Sequence, residues 1–270
     1  MKDIARIISI IFTIMLIIIQ LLPDSSDDSN RDAHYPEDYS SSLCLEEQLA
    51  MNDGLQTSRS WRDYAYKDFC TSYYSEEKSY LQSVDLRSQM YANPLLTENK
   101  YWYSVYNNLF LNDFDKLKPL ADSLLEIAEA NDLDRNEFAN MVVTFVQDIP
   151  YSFILNEGDC SDEDPGFDCV NKQRFGLLGP VEFLHTLKGD CDTRTVLLYT
   201  LLKHFNYSPI IVNSWKYLHS MLLLDIATSG SYLEHKGQYF YFWETTAQGW
   251  QAGDIPPDMT DLTSWQIILD

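Results

Sequence analysis

A cysteine does nucleophilic chemistry as a thiolate, and the run Gly189-Asp190-Cys191-Asp192-Thr193 puts one where ionisation is assisted. Asp190 or Asp192 can cap a helix opening there, and the partial positive charge of a helix N-terminus lowers a thiol pKa from about 8.5. The two flanking carboxylates act in the opposite direction, so a cationic partner is required, and histidine is the usual one. Of the five histidines, His219 is the best placed, on an apolar run that follows the helix and its connecting strand. His204 falls at the far end of the same helix, about 20 Å away at 1.5 Å per residue. His185 lies in an apolar context just before the cysteine, and His34 and His235 fall in polar segments.

A catalytic imidazole also needs an acceptor behind it to fix its orientation. If the chain between the runs 217–226 and 239–245 turns near Ser231 and Tyr232, an antiparallel pair sets Glu244 opposite His219. Asp225 shares the strand of His219 but lies about 20 Å along it, which excludes it as that acceptor. Cys191, His219 and Glu244 therefore form the expected catalytic group. Its oxyanion donors are expected from the backbone N–H of Cys191 and from Gln147 or Tyr151.

The elements that must carry these residues are legible to differing degrees. Leu117, Leu120, Leu124, Leu125 and Ile127 repeat at helical spacing over 115–130. Asp134 and Glu137 form a capping-box pair for a helix that runs to about Gln147 and stops before Pro150. The segment 150–180 reads as loop. The helix opened at Cys191 carries Val196, Leu197, Leu198, Leu201, Leu202 and Phe205 as its apolar stripe, and strands are expected at 209–213, 217–226 and 239–245. Helices first and sheet afterwards predict an α+β domain.

The chain has 270 residues, 45% hydrophobic, enough for a sizeable core. With 41 acidic and 19 basic residues its formal charge is −22, which repels phosphate backbones and argues against a nucleic-acid partner. Residues 1–23 differ from the rest: Lys2 and Arg6 precede an apolar run over 7–22 that suits a bilayer, followed by an acidic stretch. They read as an uncleaved membrane anchor, a removed signal peptide being the other reading, and either puts the rest of the chain outside the cytoplasm, on the periplasmic side in a Gram-negative cell. Residues 24–42 read as a flexible acidic tether, 43–95 as an aromatic-rich extension of irregular or helical structure, and 96–270 as the main domain.

Five cysteines in an exported chain leave at least one unpaired. Cys160 and Cys169 close a short loop turning at Pro165-Gly166, and Cys44 with Cys70 can staple the extension, which leaves Cys191 free. That arrangement is one of several the count permits. The six carboxylates between Glu157 and Asp168 offer a Ca²⁺ site without the EF-hand pattern, against the alternative of a solvated loop. No close His and Cys spacing suits zinc.

Gly189-Asp190-Cys191-Asp192 opening an apolar helix, a strand carrying His219, and Trp243-Glu244-Thr245-Thr246 with Trp250 nearby together resemble the transglutaminase-like superfamily of papain-type folds. Phe145-Val146-Gln147-Asp148-Ile149-Pro150-Tyr151 is similar to the segment that precedes the cysteine in bacterial, membrane-anchored members. The resemblance spans roughly residues 110–260. It implies a core in which the cysteine helix packs on an antiparallel sheet, with Cys191 as nucleophile, His219 as base and acid, and Glu244 as orienting carboxylate. That third position is more often aspartate in the family, so Glu244 is a departure. The reaction expected is acyl transfer at an amide carbonyl of a protein or peptide substrate with no cofactor; hydrolysis of peptide or isopeptide amides is preferred over protein cross-linking, because water is abundant and no second substrate site is evident. The alternative is a non-catalytic module that binds a partner in a cell-envelope complex.

Overall fold

A computed structural model describes residues 44–91, 93, 95–162 and 168–270. The expected anchor and tether, residues 1–23 and 24–42, lie outside the described residues. So do residues 163–167 of the acidic loop, and with them part of the expected Ca²⁺ site. Among the described residues no helix is long and apolar enough to cross a membrane, and no group of His, Cys, Asp and Glu is arranged to hold a metal ion.

The described residues fall in one compact unit that mixes helices with antiparallel sheets. It opens with β1 (Glu47–Met51), β2 (Gly54–Arg62) and β3 (Asp68–Glu76), an antiparallel sheet in that order. This is a correction to the irregular or helical extension expected over 43–95. Alternation turns Thr57, Arg59 and Trp61 of β2 and Phe69, Thr71, Tyr73 and Ser75 of β3 inward. Four of those seven side chains are polar or charged, so no hydrophobic period of two marks the strands. Trp61, Phe69 and Tyr73 nevertheless join the main core, and the extension is thus built into the same unit.

Helices α1 (Glu77–Gln89) and α2 (Glu98–Asp113) follow, then α3 (Lys118–Ala130) behind a single 3₁₀ turn, and α4 (Arg135–Gln147). Asp134 accepts from the backbone N–H groups of Asn136 and Glu137 while Glu137 accepts from Asp134 N–H, which completes the expected capping box. Within the expected loop 150–180 the chain forms a short parallel pair, β4 (Ser152–Ile154) with β5 (Asp168–Val170). Pro180 then starts α5 (Pro180–Thr186) instead of ending a loop, because a proline at the first helical position forfeits no internal hydrogen bond.

The central helix is α6 (Cys191–His204). It is buried on nearly every side, from Cys191 through Leu202, and not along a single stripe. One face packs on a five-stranded sheet in the order β10-β6-β7-β9-β8, made of β6 (Ile210–Ser214), β7 (His219–Leu224), β8 (Tyr232–His235), β9 (Gln238–Trp243) and β10 (Gln266–Leu269). A second apolar layer with Met221, Leu223, Phe242 and Trp265 covers the sheet away from the main core. As expected, β7 and β9 are antiparallel neighbours, but Leu222 faces Trp243, two residues out of the expected register. Continued to the strand end, that register would set Thr246 opposite His219. The reason is that β8 intervenes: the tight hairpin turns at Lys236-Gly237 between β8 and β9, and the β7–β8 connection is longer than a simple turn.

Both disulfides join the expected partners, Cys44 with Cys70 and Cys160 with Cys169, leaving Cys191 as the free thiol. Two disulfides fit an oxidising, extracytoplasmic environment.

Candidate active site

Cys191 is the first residue of α6 and is 8% exposed. Asp190 caps the helix, its carboxylate accepting from Thr193 N–H at 3.0 Å, and Thr193 Oγ1 in turn accepts from Leu178 N–H. Gly189 is required by close approach: a Cβ there would meet the Thr193 methyl at 2.9 Å and the Phe183 ring at 3.1 Å. The turn into the helix can therefore sit against α5 only without a side chain at this position.

His219 opens β7, and its Nε2 is 2.8 Å from Glu244 Oε2. Nδ1 is the nitrogen left for the thiol of Cys191, and the two groups are close enough for each to shift the other's ionisation. Glu244 follows directly after β9 and is 1% exposed. Its other oxygen, Oε1, accepts from Thr245 N–H at 2.8 Å, Thr246 N–H at 3.0 Å and Thr246 Oγ1 at 2.8 Å. A carboxylate with that many donors cannot swing away from the imidazole. Continued by one pair, the observed register sets Glu244 opposite Met221, so Glu244 and His219 are diagonal neighbours on one face, within reach of two long side chains. The structure brings Glu244 and His219 together as expected, but diagonally and not directly opposite.

The charges settle as follows. Burial opposes a charged His219, but Glu244 and Cys191 outweigh it and hold the imidazole well above its usual range. Burial likewise works to raise Glu244, and His219 with its hydrogen bonds overcomes that and lowers it. Burial and then the Asp192 charge push the Cys191 thiol up to about 11, against the pull of His219. This differs from the expectation drawn from the helix start alone. Desolvation and a carboxylate in the next position outweigh half a unit of dipole charge.

Gln147 does not face the thiol. Its amide donates to Glu244 O at 2.7 Å and Trp250 O at 3.0 Å and accepts from Tyr64 OH at 3.1 Å. Both amide N–H groups are thereby taken by carbonyls, so Gln147 holds the Glu244 segment in place and is not an oxyanion donor. Tyr151 does lie beside the site: burial, then the neighbouring Cys191 and Asp190, raise its phenol well above the usual range and keep it a donor. The Arg194 guanidinium sits 5.6 Å from the Tyr151 ring centroid.

Arg194 is a site residue the sequence reading passed over. It is wholly buried, and all its bonds go to backbone carbonyls: Gly189 at 3.0 Å, Val146 at 2.8 Å, Thr245 at 3.4 Å, Ile149 at 2.6 Å and Pro150 at 2.7 Å. Those carbonyls flank Cys191, Gln147, Glu244 and Tyr151, so one guanidinium joins each of these segments of the site, though not the strand of His219. An arginine three residues after the cysteine, inside an otherwise apolar helix, was the available signal. Burial lowers its pKa to about 10, which still leaves it charged near neutral pH.

Comparison of the chain with protein-family models, with curated proteins and with solved structures finds no match in any of the three.

Proposed function

We propose that the protein is a transglutaminase-like cysteine enzyme that transfers acyl groups through Cys191, with hydrolysis of peptide or isopeptide amides as its reaction. The observation that carries this reading is the Glu244–His219 hydrogen bond beside the free cysteine, Cys191, which opens a buried helix close enough to His219 for each to shift the other's ionisation. In the reaction Cys191 Sγ bonds to the carbonyl carbon, and His219 donates its proton to the amine as the carbon–nitrogen bond breaks. Water then attacks the thioester, its proton passes to His219, and the thiol is regenerated. Tyr151 O–H and the Cys191 backbone N–H are the candidate donors to the oxyanion. The raised thiol pKa implies that the reactive form grows with pH on the alkaline side. The same features suit a chain held outside the cytoplasm by residues 1–23, acting on proteins or peptides at the cell envelope.

One observation favours the second reading, a non-catalytic binding module: a thiol this buried and this reluctant to ionise is a poor nucleophile at neutral pH. Treatment with p-nitrophenyl acetate separates the two. The enzyme reading expects release of p-nitrophenolate and an acetyl group found on Cys191 by mass spectrometry, both lost in His219→Ala. A folded protein that never acquires the acetyl group, even at pH 9, sinks it.

A further inference from the structure

Beside Cys191 lies a buried polar cluster that the proposed reaction does not use. Asp192 Oδ1 accepts from Tyr106 OH at 2.5 Å, Asn213 donates to Tyr106 OH at 2.7 Å, and the single Ser220 hydroxyl proton is shared between Asp192 Oδ1 and Asn213 Oδ1, the latter at 2.8 Å. The four residues come from α2, α6, β6 and β7, and Tyr106, Asn213 and Ser220 are each almost wholly buried. Asp192 follows the thiol and Ser220 follows the imidazole. The bond between them is therefore a tie, one residue along the chain, that parallels the contact between Cys191 and His219.

We propose that Asp192 is a positioning residue with two effects on Cys191: through Ser220 it ties the start of α6 to the strand that carries His219, and its own charge opposes formation of the thiolate. The inference rests on the acyl-transfer reading above and adds a restraint to it. Among the described residues, the titratable and charged groups around the thiol and Asp192 are Asp190 at the helix cap, Arg194 on α6, Tyr106 on α2, Tyr151 after α4, His219 on β7 and Glu244 after β9. Among them His219 favours the thiolate, and Asp192 is the strongest neighbouring charge against it. Arg194 is committed to five carbonyls, and Glu244 spends its charge on His219. In an oxidising compartment the thiolate is the form that is oxidised or exchanged into mixed disulfides, so a carboxylate that restrains ionisation preserves the free cysteine.

The test uses the purified full chain, alkylated with iodoacetamide from pH 6 to pH 11, with the label on Cys191 followed by mass spectrometry. Asp192→Asn keeps the shape and removes the charge. It is expected to move the alkylation midpoint down by about one pH unit, which is roughly tenfold faster labelling below both midpoints. A purely structural Asp192 predicts the opposite, slower labelling at every pH, and an unmoved or raised midpoint overturns the proposal. Ser220→Ala keeps the charge and cuts the tie. Its midpoint is expected to rise toward that of His219→Ala, and if Asp192→Asn fails to fold, an unchanged Ser220→Ala profile overturns the proposal. A folded wild type that resists labelling at every pH overturns the acyl-transfer reading and this one together. A labelled wild type with an unmoved Asp192→Asn overturns this one alone.

Discussion

His219 and Asp190 both hold their protons more tightly in the folded protein than in an unfolded chain, for opposite electrostatic reasons. Glu244 and Cys191 favour the charged imidazole against its burial, whereas burial and the neighbouring Asp192 raise the Asp190 carboxyl to about 8. A group whose pKa is raised by folding adds stability that is complete below its unfolded value and lost as pH rises through the folded one. For Asp190 that window runs from about pH 4 to about pH 8, and for His219 it opens at about pH 6.5 and continues upward. Glu244, lowered by folding, contributes in the other sense: its share is present above about pH 4.5 and lost as pH falls through its folded value. The melting temperature is therefore expected to fall between pH 6 and pH 9. Asp190→Asn keeps an oxygen to cap Thr193 N–H, because asparagine caps as well as aspartate, and it removes the buried charge. Thermal melts of this variant should show a shallower decline with pH; a decline as steep as the wild type's rejects Asp190 as its source.

At the scale of elements, legibility followed how local each signal is. The cap at Asp190, the capping box at Asp134 and Glu137 and the apolar run of β7 are written within a few neighbouring residues, so Cys191 and His219 could be placed from sequence. Glu244 could be chosen, but not positioned, since its register against β7 depends on a strand, β8, that no apolar alternation announces. Arg194 was illegible for the same reason carried further: its partners Val146, Ile149, Pro150 and Thr245 are about 50 residues away on either side. Its importance is a matter of unmet hydrogen bonds. Arg194→Met fills much of the volume but abandons carbonyls in the buried interior, and leaving such groups unpaired costs about 1–3 kcal/mol each before relaxation. Urea unfolding should show a loss of at least about 3 kcal/mol, with Arg194→Lys intermediate because an ammonium has three donors in place of five. A Met variant within about 0.5 kcal/mol of wild type would mean the carbonyls find other partners and the fork is dispensable.

For the molecule as a whole, the three-stranded sheet is the part whose role could not be foreseen, and it and its β2–β3 turn reach the site by three grips on α4 and the residue that follows it. Tyr64 donates to Gln147, which holds Glu244; Arg59 pairs with Asp148 at 2.5 Å; and Trp61 Nε1 donates to Met141 O at 3.0 Å. The Cys44–Cys70 disulfide staples this sheet, whereas Cys160–Cys169 closes a loop at the β4–β5 pair. The two bridges should therefore differ in kind. By chain entropy, a bridge spanning 26 residues stabilises by about 3.5 kcal/mol and one spanning 9 by about 2.5 kcal/mol. Acetylation of Cys191 should slow when Cys44 and Cys70 are both replaced by alanine, because the loosened sheet relaxes its hold on Gln147 and through it on Glu244. The double replacement of Cys160 and Cys169 should lower the urea midpoint and leave that rate within about twofold. Each pair is to be measured by urea unfolding and by acetylation with p-nitrophenyl acetate. A rate that falls with the loop bridge and survives loss of the sheet bridge would show that the site is supported from the β4–β5 side, and that the grips on α4 serve stability alone.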